Sequence, residues 1–243
     1  MYSVHKLYAQ HCHIIKPYLY SVHFVYDRGN MPTIPSDLRS RKRLATRQAI
    51  SNAATRLFFV HGFDRVTVDE IAAAANVGRM TVFNHFPRKE DMFFDREEEG
   101  RELLRATLRQ RDPMVAPSET LRRLMHRLVL EDSPYVTFSA AGQGFIATVE
   151  GSDTLKARAR AIRDELAQVL AQALTNCTGR DAHDPLAHLA ASLLLATWSV
   201  ALIEAHRAFR RHGDAQQARA CFLSLVDQGH GGLKAALAGT PYA

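Results

Sequence analysis

Apolar residues recur at helical spacing along most of the chain, and the clearest example lies between residues 67 and 86. Thr67 followed three residues later by Glu70 is a capping-box sequence, which predicts the start of a helix. Four apolar residues then fall at i, i+3, i+4 and i+7: Val68, Ile71, Ala72 and Ala75. Asn76 and Gly78 tolerate the backbone angles of a tight turn, and a second buried face follows with Val82 and Phe86. The spacing predicts a helix-turn-helix, and it makes DNA the first partner to consider.

Polar side chains of the second predicted helix point away from its buried face and can bond to DNA. They are Arg79, Thr81, Asn84 and His85. Upstream lies a basic segment of four cations within five residues: Arg39, Arg41, Lys42 and Arg43. Such a density suits a phosphate backbone or a minor groove, and the alternative is a solvated charged face. The neighbouring helix-turn-helix favours the interpretation as a DNA contact.

Residues 47–95 resemble the N-terminal domain of the TetR family of transcriptional regulators. The resemblance rests on a first helix with Ile50, Ala54, Leu57 and Phe58, the linker Gly62-Phe63, the capped Thr67 helix and the closing run from Phe83 to Met92. It implies phosphate contacts by Thr67, His85 and Lys89. It also implies base contacts by Arg79, Met80, Thr81 and Asn84.

Two residues depart from the usual pattern of that family. Gly78 stands where a small hydroxyl residue commonly caps the recognition helix, and Phe83 where a tyrosine commonly reaches a phosphate. Glycine in place of a hydroxyl cap costs only a few tenths of a kcal/mol. Phe83 either packs against sugar or thymine methyl groups, or belongs to the core of the small domain.

Beyond Lys89 the pattern stays helical, with no run of strict alternation, so the sequence predicts an all-α fold. We expect a three-helix DNA-binding domain at residues 37–89 and a helical domain at 90–243, joined by a helix over about 90–109. By resemblance, the second domain binds a ligand and forms the dimer. Residues 1–36 differ in composition. We expect a disordered extension or a leader upstream of a start at Met31, the alternative being an arm that contacts DNA.

The most sharply delimited helix begins at Asp184-Pro185 and ends before Gly213. Residues 186–203 inside it are mostly apolar, so a membrane span must be weighed against burial between protein surfaces. His188, Ser192 and Thr197 favour burial and no membrane partner. The last helix carries the unusual sequence Gly229-His230-Gly231-Gly232, which either permits close helix contact or ends the helix early. In the resembling family the last two helices form a homodimer, which would read a palindromic operator.

Charge is concentrated at the DNA-binding end. The chain has a net charge of +6, and residues 37–89 hold ten Lys or Arg against four Asp or Glu, which is the same excess. A balanced remainder argues against a general polycation. Three cysteines at wide spacing give neither a disulfide framework nor a zinc site, and His11-Cys12-His13 has no second cluster. The pattern indicates no metal, no cofactor, no catalytic centre and no secretory signal, which favours the cytoplasm.

These features predict a sequence-specific transcriptional regulator bound to double-stranded DNA. By resemblance it is a repressor released from its operator by a small, mostly apolar effector. Candidate effector contacts share an apolar or hydrogen-bonding side chain in the second domain: Met125, Phe138, Gln143, Phe145, His188, Trp198 and His206. Two alternatives remain, an architectural DNA-binding protein without a ligand and a helical enzyme with an incidental DNA-like motif.

Overall fold

Ten α-helices and one short 3-10 helix form the computed structural model, which describes residues 37–243. The α-helices are α1 (Leu38–His61), α2 (Val68–Ala74), α3 (Arg79–His85), α4 (Lys89–Phe93), α5 (Glu97–Arg109), α6 (Pro117–Leu130), α7 (Ala140–Glu150), α8 (Asp153–Thr178), α9 (Pro185–His212) and α10 (Ala215–Ala236). The 3-10 helix is Pro134–Val136. No strand occurs within residues 37–243, and the predicted all-α class is confirmed. The expectations for residues 1–36 lie outside the described residues.

The chain forms two compact units, and the first is discontinuous in sequence. Among the described residues, it joins residues 37–95 with Gly144–Arg158, whereas the second joins Arg96–Gln143 with Ala159–Ala243. The sequence pattern placed the boundary after residue 89 and gave no sign that residues 144–158 belong with the helix-turn-helix.

Aromatic side chains dominate the core of the first unit. Phe58 packs against Phe63 with ring centroids 4.9 Å apart, and Phe93 stacks on Phe145 at 4.5 Å. Leu155 from the start of α8 is fully buried in the same cluster. Ser152 Oγ donates a hydrogen bond of 2.8 Å to Asp64. Residues 144–158 therefore complete this core.

The helix expected over residues 90–109 is interrupted, so that prediction was wrong. α4 ends at Phe93, Phe94 has non-helical angles (φ −101°, ψ 40°), and α5 begins at Glu97. Burial of the Phe93 side chain competes with continuation of the helix. The new helix opens with three glutamates, which interact favourably with the positive end of its dipole.

The second unit is built around α9 and α10. The Asp184 side chain accepts a hydrogen bond from the Leu186 N–H, Pro185 occupies the first turn, and Gly213 ends α9 in the left-handed region (φ 69°). The predicted ends of this 28-residue helix are therefore confirmed. Small residues of α9, including Ala187 and Ala201, are fully buried. They let the neighbouring helix approach closely.

Gly229 of the last helix permits close contact, and the glycines do not end the helix, because α10 continues to Ala236. Gly229 faces Thr197 of α9. A Cβ atom at Gly229 would lie 2.2 Å from Thr197 Cγ2 and 2.9 Å from Thr197 Cβ. By contrast, a Cβ atom at Gly231 or Gly232 would meet nothing within 4 Å.

α9 also presents a mostly exposed apolar stripe, of which Leu193 is half-buried against the core. We define the α9 stripe by its spacing of three and four residues: Leu186, Leu189, Leu193, Ala196, Val200 and Ile203. The side chains of Val200 and Ile203 are 54% and 46% exposed. By length and composition alone, α9 is the one helix among the described residues that passes as a membrane span.

Candidate nucleic-acid interface

Local hydrogen bonds fix the start of α2, and a positive backbone angle shapes the turn between α2 and α3. Thr67 Oγ1 accepts from the Glu70 N–H at 3.2 Å, and the Glu70 carboxylate accepts from the Thr67 N–H at 2.8 Å. The predicted capping box is confirmed. Asn76 adopts a positive φ of 54° in the turn, an angle that asparagine tolerates better than most residues. Gly78 then precedes α3 without a side-chain cap, because glycine has no side chain that could accept a hydrogen bond.

α3 has one buried face and one exposed face, as the pattern predicted. Val82 and Phe86 are fully buried. Arg79 and Asn84 are exposed, Met80 is 71% exposed, and Thr81 is half-buried. Exposed methionine on a helix that also carries hydrogen-bonding groups is suited to apolar contact with thymine methyl groups.

Phe83 lies on the exposed side and not in the core of the first unit. Its side chain is 36% exposed, and the Arg79 guanidinium carbon lies 5.5 Å from its ring centroid. That distance is within the range of a cation–π contact. Of the two sequence-based interpretations, the structure therefore supports the surface position.

Arg79 also forms an ion pair with the preceding helix. Its NH1 group lies 2.7 Å from Asp69 Oδ2, and both side chains are more than half exposed. The Asp69 carboxylate and the Phe83 ring thus restrain the Arg79 guanidinium group, which the sequence predicts to contact DNA.

His85 lies at the end of α3 beside two arginines. Burial lowers the pKa of its imidazole below the usual 6.5, and the charges of Arg43 and Arg47 lower it further. These effects favour the neutral ring, which offers a hydrogen bond and not a full charge. Arg47 donates a 2.6 Å hydrogen bond to the His85 carbonyl, and its guanidinium lies 4.0 Å above the Phe86 ring.

Lys89 and Thr67 hold the loop before α2. Lys89 Nζ donates to the carbonyls of Phe63 at 2.9 Å and Val66 at 3.0 Å, and it lies 4.2 Å from the Phe63 ring centroid. These two bonds use two of the three N–H donors of the ammonium group. The Thr67 hydroxyl takes part in the capping box and also donates to Glu70 at 2.8 Å. Both residues thus have structural partners at the positions where phosphate contacts are expected.

The basic segment forms the first two turns of α1. Its four side chains are exposed, and the Asp37 side chain caps the helix by accepting from the Ser40 N–H at 2.8 Å. The first turn contains no acidic residue. The cations therefore lie at the positive end of the helix dipole, where an external anion would be stabilising.

Comparison with known proteins matches residues 50–95 to the family of bacterial regulatory proteins called the tetR family. The chain carries a tetR-family domain. The "HTH-type transcriptional repressor LfrR" of Mycolicibacterium smegmatis is 32% identical over 107 residues, which are 44% of this chain and 53% of the relative. The "HTH-type transcriptional regulator TcmR" of Streptomyces glaucescens is 40% identical over 55 residues, 23% of this chain and 24% of the relative. The matches therefore span between about a quarter and about a half of these relatives.

Solved structures extend the likeness beyond the tetR-family domain, as a likeness of fold. The structure described as "SmeT-Triclosan complex" covers 77% of this chain and 91% of its own, with a TM-score of 0.51 and 22% identity. NalD of Pseudomonas aeruginosa, described as "the secondary repressor of MexAB-OprM multidrug efflux pump", covers 76% of this chain and 97% of its own. Its TM-score is 0.50 at 20% identity.

Of the candidate effector contacts outside the tetR-family domain, three come together. Gln143 Nε2 lies 3.1 Å from His206 Nδ1 and donates to the His206 carbonyl at 3.0 Å, and the Phe138 ring lies 5.1 Å from the His206 ring. Met125 and Trp198 pack in the same core.

Two further candidates lie elsewhere. Phe145 belongs to the first unit, where it stacks on Phe93, and His188 is exposed. A surface cavity of about 290 Å³ is lined in part by Ser118, Arg123 and Lys234. None of the seven candidates lines this cavity.

Two residues that support the candidate interface were missed in the sequence. Arg47 anchors the end of α3 to α1 from a position 38 residues away, and no sequence spacing signals such a contact. Asp69 contacts Arg79 across the turn. The sequence could have identified Asp69, because it is an acidic residue beside the capping Glu70 on an otherwise basic surface.

Proposed function

We propose that this protein is a sequence-specific DNA-binding transcriptional regulator, and that α3 reads base edges in the major groove. The observation that carries the proposal is the exposed face of α3, where Arg79, Met80 and Asn84 stand out beside a buried apolar face. Arginine recognises guanine, and asparagine recognises adenine, through paired hydrogen bonds, while methionine supplies apolar contact. The relatives LfrR and TcmR are described as a transcriptional repressor and a transcriptional regulator, which supports repression as the outcome.

The basic segment contacts the phosphate backbone in this proposal. A helix with its side chains is about 10–12 Å wide, and the minor groove of B-DNA is only about 6 Å wide. Because the four cations lie on helix α1, a phosphate contact fits their conformation better than insertion into the minor groove. Thr67, His85 and Lys89 are further proposed phosphate contacts, and for Thr67 and Lys89 the contact would add to their structural hydrogen bonds.

A homodimer formed through α9 and α10 would bring two α3 helices to the two halves of a palindromic operator. The α9 stripe supports this assembly, since its apolar side chains repeat at the three-and-four spacing of helix–helix packing. Val200→Glu should convert the dimer to monomer in multi-angle light scattering. Leu130→Glu is the matched control, because Leu130 is 85% exposed outside the stripe. Unchanged mass for Val200→Glu would place the interface elsewhere.

The proposed effector is small and mostly apolar, with a polar group that bonds to Gln143 or His206. Phe138, Met125 and Trp198 supply the apolar surroundings. Trp198 is the single tryptophan of the chain, so its fluorescence is a direct probe of binding. Only a ligand that prefers the DNA-incompetent state releases the operator. The protein acts in the cytoplasm, as a soluble regulator without catalytic activity.

Fluorescence anisotropy tests the proposed function. The full chain is titrated with a labelled duplex from the DNA upstream of its own gene and with a shuffled duplex, at two salt concentrations. Selective binding is expected, and Arg79→Ala should weaken binding at the cognate base by about 1–3 kcal/mol. Arg56→Ala is the matched control, since it removes the same charge from an exposed position of α1 outside both α3 and the basic segment. Equal binding to both duplexes would instead indicate an architectural protein.

A further inference from the structure

Asp69 is an acidic residue on a surface that is otherwise suited to a polyanion. It occupies the second position of α2, and its side chain is 64% exposed. Its neighbour Glu70 is bonded to Thr67 in the capping box, whereas Asp69 Oδ2 lies 2.7 Å from Arg79 NH1. The two adjacent carboxylates therefore have different tasks, one within its own helix and one across the turn.

Folding stability does not account for the Asp69–Arg79 pair. Ion pairs between exposed side chains contribute little to folding, because solvent screens them and two long side chains lose freedom. Towards DNA, the Asp69 carboxylate adds repulsion from phosphates and offsets the charge of Arg79. The pair thus weakens the attraction that Arg79 would exert on any DNA, whatever its sequence.

The pair also restrains the guanidinium group of Arg79. The group has five N–H donors in a fixed plane, and Asp69 occupies the NH1 side of that plane. The ring of Phe83, one turn along α3, lies within cation–π distance on another side. A guanidinium held in this way keeps donors for a base edge and loses less rotamer freedom on binding than an unrestrained one.

We propose that Asp69 is a specificity-determining positioning residue, which holds Arg79 away from phosphates and directs its remaining donors to a guanine edge. The proposal rests on the proposed function, in which α3 reads base pairs. Asp69 itself need not touch DNA. Its effect is a larger ratio between binding to cognate and to non-cognate sequences, at the expense of total affinity.

The test compares Asp69→Asn with Glu70→Gln in the full chain. Both variants remove one negative charge from the first turn of α2, and glutamine preserves the capping box. The probes are a labelled duplex recovered by the wild-type protein from a random-sequence pool and a shuffled duplex of equal length. Anisotropy at two salt concentrations gives the affinity ratio for the two duplexes.

Asp69→Asn should tighten binding to the shuffled duplex by about 3–10-fold through lost repulsion, while binding to the recovered duplex tightens less or weakens. The affinity ratio should therefore fall by up to about tenfold where binding to the recovered duplex is little changed. Glu70→Gln should change both affinities by the same factor, and Asp69→Glu should restore most of the ratio. In an Arg79→Ala background, Asp69→Asn should leave the ratio unchanged, because the residue acts through Arg79.

Two results would overturn the inference in distinguishable ways. If Asp69→Asn shifts both affinities equally, as Glu70→Gln does, Asp69 is only a local charge, and the proposed function stands. If the wild-type protein binds both duplexes equally, the proposed function fails and the inference fails with it.

Discussion

The contact between Gly229 and Thr197 makes one substitution a sharp test of how α9 and α10 pack. Alanine at position 229 would place its Cβ 2.2 Å from Thr197 Cγ2, 2.5 Å from Oγ1 and 2.9 Å from Cβ. Rotation of the threonine side chain can relieve the first two contacts, but it cannot move the Cβ atom. The two helices must therefore separate at this point.

Overpacking of this kind costs about 1–3 kcal/mol, against which the intrinsic helix preference of alanine over glycine returns roughly 0.5–1 kcal/mol. We therefore expect Gly229→Ala to lower the free energy of unfolding by up to about 2.5 kcal/mol. For a chain of this length, each kcal/mol shifts Tm by about 2–4 °C. Thermal unfolding at one fixed protein concentration measures the shift, since the Tm of the proposed dimer would depend on concentration.

Gly231→Ala and Gly232→Ala are the matched controls, because both positions lie in the same helix with open space around a Cβ atom. Each should stabilise the protein through helix preference alone. Thr197→Ala should partly rescue Gly229→Ala, since it removes the two nearest atoms and leaves the Cβ. A Gly229→Ala variant as stable as the Gly231→Ala variant would refute the packing argument.

Three further predictions concern the two units. Phe145→Ala should destabilise the first unit by about 2 kcal/mol, because it removes the ring stacked on Phe93. Urea denaturation, followed by the loss of DNA binding, would detect the change. Unchanged stability would show that residues 144–158 do not belong to that core. Replacing all four cations of the basic segment by glutamine should reduce the steepness of the plot of log DNA-binding constant against log salt concentration by up to roughly 3–4, about 0.9 for each lost phosphate contact. An unchanged slope would show that the four cations do not contact phosphates. Hydrogen bonds from Arg122, with a further one from Arg123, lower the pKa of Glu119 to about 2. The ionised carboxylate therefore contributes to folding stability above its usual pKa of 4.5, and this contribution is lost as pH falls towards 2. Glu119→Gln should therefore reduce stability by about 1–2 kcal/mol at pH 7 and by much less near pH 2, and an equal loss at both pH values would contradict this.

Local sequence patterns predicted what depends on neighbouring residues. The capping box at Thr67 and the start of α9 at Asp184-Pro185 each require atoms only a few positions apart, so their residue types were sufficient. The exposed face of α3 followed from helical spacing in the same way.

Contacts between distant residues were beyond the pattern. The helix expected over residues 90–109 is interrupted just after Phe93, whose ring stacks on Phe145 from a distant part of the chain. The contact between Gly229 and Thr197 depends on the distance between two helices, and the local sequence pattern does not predict that distance. Among the site residues, the same reason explains why Arg47 was missed.

The discontinuous first unit has a consequence for synthesis of the protein. Its helix-turn-helix is complete in sequence at Asp95, but its core also needs Phe145 and Leu155. At a translation rate of about 5–20 residues per second, the ribosome needs roughly 3–13 s more to reach residue 158. Until then the nascent DNA-binding unit exposes the apolar surface around Phe93. The protein can thus acquire its stable DNA-binding form only after the first segment of its second unit, Arg96–Gln143, has been made.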